Sequence, residues 1–111
     1  MRGKKLEVRW TDVSEKDLWE VIAHIALEHP STAEEFLKTI RSRAEALETL
    51  PRRGRVVPEL DRLGIRDYRE IIVVPWRIVY KVDPARVEVL AVLDSRRNVE
   101  DLLLKRLTRN P

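Results

Sequence analysis

Apolar and polar residues alternate at the start of the chain: Leu6, Val8 and Trp10 are separated by Glu7 and Arg9. That period of two predicts a half-buried strand over residues 5–11. The period then lengthens. Ser14 with Asp17 reads as a helix cap, and Leu18, Val21, Ile22, Ile25 and Ala26 follow at helical spacing as far as His29, where Pro30 ends the helix. A second cap is predicted at Ser31 with Glu34, ahead of the stripe Ala33, Phe36, Leu37, Ile40, Ala44 and Leu47. Two amphipathic helices joined by so short a turn should pack as an antiparallel hairpin.

Pro51 closes the second helix and opens a loop, Pro51-Arg52-Arg53-Gly54-Arg55, with a further turn signal at Leu63-Gly64. From Tyr68 the chain turns β-branched: Ile71 to Val74, Trp76 to Val82 and Val87 to Leu93, broken at Pro75 and at Asp83-Pro84-Ala85. Three antiparallel strands follow. In the middle one Trp76, Ile78, Tyr80 and Val82 share a face, predicted to lie on the helical hairpin, and Arg77, Val79 and Lys81 share the other. Asn98 with Asp101 caps a last helix carrying Val99, Leu102, Leu103, Leu104 and Leu107. The fold class is α+β, in the order β-α-α-β-β-β-α, with the hairpin on one face of a small, mainly antiparallel sheet.

The length of 111 residues suits a single domain over residues 1–111, and 43% apolar residues suffice for its core. With no long uncharged apolar run and no signal-like start, the expectation is a cytoplasmic protein with no membrane contact. No disulfide or thiolate chemistry is available without Cys. His24 and His29 are five apart on a helix and do not share a face, so no metal and no cofactor are expected. A Gly-rich phosphate loop and a nucleophilic triad are also missing.

Charge is distributed unevenly. Residues 1–50 carry eight basic and ten acidic side chains, a net of −2, and residues 51–111 carry fourteen and nine, a net of +5. The excess includes Arg66 and Arg69 entering the second strand, Arg77 in the third, and Arg96 and Arg97 after the fourth. Arginines so placed could converge on one face and hold a phosphodiester without a metal. Alternatively Glu70, Asp67, Glu88 and Asp94 neutralise them in cross-strand pairs.

The segments Arg69 to Ile72, Trp76-Arg77-Ile78-Val79-Tyr80-Lys81-Val82 and Val87 to Arg97 resemble the strand block of the RelE/ParE toxin superfamily, with Leu50-Pro51-Arg52-Arg53-Gly54 resembling its helical-hairpin exit. The resemblance implies the toxin half of a type II toxin–antitoxin system, held by a cognate antitoxin protein. RelE-like members cleave ribosome-bound mRNA with sheet Lys and Arg residues and a C-terminal Tyr or His. Here Arg77 and Arg97 match that pattern, but its lysines fall near Tyr68 and Glu70, its Tyr falls near Leu103, and Asp94 stands where relatives carry His. ParE-like members bind and poison DNA gyrase and need no acid or base.

The resemblance therefore favours a ParE-like, non-catalytic toxin. The alternative is a metal-independent ribonuclease using Arg69, Arg77 and Arg97, with Glu70 or Asp94 as base; a second alternative is a non-toxic adaptor domain. Target-binding residues would be Arg66, Arg69, Arg77, Lys81, Arg96 and Arg97. Leu102, Leu103, Leu104 and Leu107 give the last helix more apolar width than one sheet contact needs, and would form a groove edge for the antitoxin.

Overall fold

The structure, a computed structural model, describes residues 5–109. Strand β1, Glu7–Trp10, lies at one edge of a five-stranded sheet. Helix α1, Asp12–Ala26, begins one turn earlier than the Ser14 cap predicts. Its cap is Thr11, whose Oγ1 accepts from the Ser14 N–H at 3.1 Å, while the fully buried Ser14 hydroxyl donates back to the Thr11 carbonyl. Ser14 belongs inside the first turn because its short side chain satisfies itself locally, where burial tolerates no free hydroxyl.

Helix α2, Pro30–Glu45, starts on the very proline expected to end α1. At a first helical position Pro gives up no hydrogen bond and its fixed φ suits the helix. Ser31 and Glu34 thus lie inside α2 and are not a cap, and α1 stops at Ala26 short of His29. A 3-10 turn, Ala46–Glu48, finishes α2 and buries Leu47.

The segment expected to be loop holds strand β2, Arg55–Val56, and helix α3, Pro58–Asp61. Elements of two and four residues are too short to show a hydrophobic period. Gly64, at φ +81°, then reverses the chain. Strands β3 (Tyr68–Val73), β4 (Trp76–Val82) and β5 (Arg86–Asp94) follow as expected, and α4, Val99–Arg109, closes the fold. Its Asn98 cap holds: Oδ1 accepts from the Asp101 N–H at 3.1 Å.

The sheet order is β1-β5-β4-β3-β2, antiparallel except for the β1–β5 pair. As predicted, Ile78 and Tyr80 face the hairpin, packing with Leu18, Val21, Ile40 and Leu47. The other face is not left to solvent. Val79, Ala91 and Leu93 pack there with Val57 and Leu60 around α3 and with Val99 and Leu103 of α4, making a second core. A bulge serves both layers: opposite Val79 and Tyr80 stand Ala91 and Val89, so Leu90 is the extra residue in β5. One extra residue inverts the alternation. Val89 and Val92 can then both join the hairpin core while Ala91 and Leu93 join the second.

Candidate functional site: the arginines of the sheet

Register decides where each arginine points, because residues directly opposite in a ladder share a face. Arg77 lies opposite Ile72 and Leu93, which puts it on the α3–α4 side. Arg69 lies opposite Tyr80 and therefore on the hairpin side. The sheet separates the two residues that a phosphodiester grip would have to combine.

Arg77 is also fully engaged. It is 5% exposed. Its two terminal nitrogens grip both oxygens of Glu59 at 2.8 and 2.6 Å, and Nε donates to Glu70 Oε1 at 2.7 Å. The remaining Glu70 oxygen accepts from Arg55 Nε at 2.7 Å. Two carboxylates and two guanidiniums thus form a closed chain, Glu59–Arg77–Glu70–Arg55, in the geometry that favours bidentate forks. The hydrogen bond from Arg77 holds the Glu59 carboxyl below its ordinary value. The hydrogen bonds Arg77 donates to Glu59, and then to Glu70, raise its own pKa against the opposing effect of burial.

This arrangement takes Glu70 out of the role of a base, since its side chain is buried and both oxygens accept from guanidiniums. Asp94 fares no better: hydrogen bonds from the Arg96 side chain and backbone hold it down to about 2, far from a proton acceptor's useful range. The neutralising alternative thus applies to Arg77 through Glu70, and to Arg96 through Asp94. Glu59, which does most to hold Arg77, was not legible as a partner because it lies on α3, itself invisible in the pattern.

The other predicted residues are dispersed. Arg69 donates to the carbonyl of Gly54 at 2.8 Å, stitching β3 to the loop before β2. Gly54 has no room for a side chain: a Cβ there would lie 2.4 Å from the Glu70 carbonyl, and its N–H donates to the buried Tyr80 hydroxyl at 2.9 Å. Burial raises the Tyr80 phenol above its usual value. Arg66 pairs with Asp61 beside α3. Lys81 is exposed, its ammonium 5.9 Å from the Tyr68 ring centroid. Arg97 is exposed in the turn after β5.

On α4, Leu103 is buried in the second core, so in this conformation it cannot offer a groove edge to a partner; Leu102, Leu104 and Leu107 are partly buried beside it. The apolar width of α4 is largely explained by the second core, which sequence periodicity alone did not reveal.

A different basic cluster emerges at the β2 end of the sheet. A cleft of about 250 Å³ there is lined by Arg43, Arg53, Gly54, Arg55, Ile71 and Ile72, above Glu70. Among the described residues, Arg43, Arg52 and Arg53 form no ion pair. The signal was present in the loop run Arg52-Arg53-Gly54-Arg55; Arg43 joins it only through folding. No group of three or more His, Cys, Asp or Glu side chains suited to a metal ion occurs among the described residues.

Residues 8–99 match the sequence model of a family described as "ParE toxin of type II toxin-antitoxin system, parDE". The chain belongs to this ParE toxin family. Among curated proteins no sequence matches. Of solved structures, one described as "Chromosomal ParDE TA system from P. aeruginosa" is similar, with a TM-score of 0.67 and 16% identity over 81% of this chain and 96% of that one. At that identity the likeness speaks for the fold, the ParE-like arrangement of hairpin and sheet. Within a ParE-family frame, the sheet arginine of β4 is here a buried structural residue under α3. No described helix is long and apolar enough to cross a membrane.

Proposed function

We propose that this ParE-family toxin inhibits growth by binding and poisoning DNA gyrase, and that a cognate antitoxin neutralises it. The observation that carries the binding reading over RNA cleavage is the separation of Arg69 from Arg77, together with the engagement of both candidate bases. In-line attack by a ribose hydroxyl requires a base and charge stabilisation on one side of one phosphate. Opposite faces of a sheet do not supply that. The family match supports the toxin role, and the net positive charge of residues 51–111 supports contact with an anionic or acidic surface.

The test has two arms. Induction of the chain alone should arrest growth, and co-expression of the reading frame beside its gene should restore it. Purified protein should then inhibit supercoiling by gyrase and leave mRNA on programmed ribosomes intact. Site-specific mRNA cleavage, abolished by Arg69→Ala, would overturn the gyrase reading; normal growth at confirmed soluble expression would overturn the toxin reading itself.

A further inference from the structure

Three guanidiniums line the cleft of about 250 Å³ at the β2 end of the sheet: Arg43 from α2, Arg53 from the loop before β2, and Arg55 from β2 itself, beside Ile71 and Ile72. Like charges gathered from separate elements repel, so the grouping is costly unless an anion shares it. Little within the chain does so. Arg43 and Arg53 are exposed and form no ion pair among the described residues. Arg55 spends only Nε, on Glu70, and its side chain is 59% exposed. Glu70, the carboxylate that lines the cleft, is already engaged by both Arg55 and Arg77.

The donors specify the anion. A single fork from Arg77 uses both oxygens of Glu59, so one guanidinium fills one carboxylate. Three guanidiniums brought to one cleft suit a tetrahedral phosphate, which offers more oxygens than a carboxylate does. A neighbouring hollow of about 650 Å³ shares Arg53 and is lined by Thr49, Leu50, Pro51 and Arg52. Leu50 there is 56% exposed, which makes an apolar shelf beside the charge. A site of this composition fits a phosphate that carries an organic group better than it fits the bare anion.

We propose that the cleft binds the phosphate ester of a nucleotide, with Arg43, Arg53 and Arg55 gripping the phosphate and Leu50 with Pro51 bearing the nucleoside. It binds without cleaving, because the carboxylate beside the phosphate is held by two guanidiniums and cannot serve as a base. The ester has two sources, a free nucleotide or a link in a single strand. A DNA strand presented by gyrase is the expected one, and that choice rests on the gyrase reading above; the phosphate chemistry rests on the cleft itself.

The test is a titration of the isotope-labelled protein, followed by amide NMR, with a short oligodeoxythymidylate, thymidine 5′-monophosphate, thymidine, inorganic phosphate and an oligoglutamate of the same charge as the oligonucleotide. The oligonucleotide should bind most tightly, shift the amides of Arg53 and Ile72, and weaken as salt is raised. The mononucleotide should bind more weakly but at the same amides, ahead of inorganic phosphate, and thymidine should not bind. Arg43→Ala with Arg53→Ala should weaken oligonucleotide binding by about tenfold or more, and Arg43→Gln with Arg53→Gln serves if the first pair disturbs folding. Arg9→Ala, an exposed arginine of β1 at the opposite edge of the sheet, should leave binding unchanged. Absence of binding, binding that leaves Arg53 and Ile72 unmoved, insensitivity to both double variants, equal loss with Arg9→Ala, equal binding by inorganic phosphate, or tighter binding by the oligoglutamate would each overturn the proposal. Equal binding by the mononucleotide and the oligonucleotide would overturn the strand as its source. Inhibition of gyrase supercoiling is scored separately. Inhibition without nucleotide binding sinks the cleft alone, and nucleotide binding without inhibition sinks the gyrase reading while leaving the phosphate-ester site in place.

Discussion

Arg69 and Arg77 stand on neighbouring strands, β3 and β4, but on opposite faces of the sheet: one is held by the Gly54 carbonyl on the hairpin side, the other by Glu59 and Glu70 under α3. Neither can be moved to the other's side without breaking the register, because a one-residue slip would carry every side chain of the strand with it. Their roles are separable by mutation.

Arg77→Ala should act as a stability mutation. It strands two carboxylates, one of them fully buried, and loss of one partner from a buried pair costs about 3–5 kcal/mol. Urea denaturation should show a lower midpoint with an unchanged slope. Arg77→Lys should recover little of it, since an ammonium cannot reach Glu59 and Glu70 with the same fork. Any loss of toxicity should track the folded fraction; a fully stable, inactive Arg77→Ala protein would show that Arg77 meets the target directly.

Stability should fall in acid. The folded-state pKa of Glu59 is lowered from an ordinary value of 4.5, so its contribution is complete above that value and is lost as pH drops through the folded one. Denaturation midpoints measured downward from about pH 5 should therefore decline, and the Glu59→Gln variant should decline less steeply. Parallel curves for the two proteins would contradict the assignment.

Asp17 and Arg106 complete the other edge of the sheet. Beyond the end of β1, the Val92 N–H donates to Asp17 at 3.0 Å, and Arg106 donates both to Asp17 and to the Leu90 carbonyl at the bulge. Asp17→Ala should cost about 1–3 kcal/mol, the range for leaving buried partners unpaired. Hydrogen exchange at the Val92 amide, which loses its acceptor, should accelerate.

Gly54→Ala should be poorly tolerated. The added methyl would meet the Glu70 carbonyl at 2.4 Å and the Tyr80 hydroxyl at 2.7 Å, so β2 must separate from β3. A loss on the order of 2 kcal/mol or more is expected, as for overpacked sites, with the Tyr80 hydroxyl bond to Gly54 broken. Tyr80→Phe, which removes that bond without the clash, should cost only about 1–2 kcal/mol. The two thermal denaturation curves separate steric from hydrogen-bond effects, and a milder Gly54→Ala than Tyr80→Phe would contradict this account.

Much of this protein is decided by local pattern. The hydrophobic periods of Leu18 to Ala26, of Ala33 to Leu47 and of Tyr68 to Leu93 specify two helices and three strands, because each period admits only one backbone that buries its apolar face. The strand block also carried the family, since Trp76 to Val82 and Val87 to Arg97 are contiguous in sequence. Helix ends were read less well, since Thr11, Ser14 and Ser31 all have cap chemistry; burial puts Ser14 inside α1, and Pro30 at the first position of α2 puts Ser31 behind it.

What tertiary structure alone decided is how the arginines are used. Charge counting located the basic half but assigns no partner to any cation; Arg77 is neutralised by Glu59 from a four-residue helix eighteen positions away, a pairing that needs the second core to exist first. Likewise Arg43, from a half of net −2, joins Arg53 in the cleft at the β2 end only once α2 packs on the sheet. Periodicity is a property of neighbours in sequence, whereas ion pairing and clefts are properties of neighbours in space.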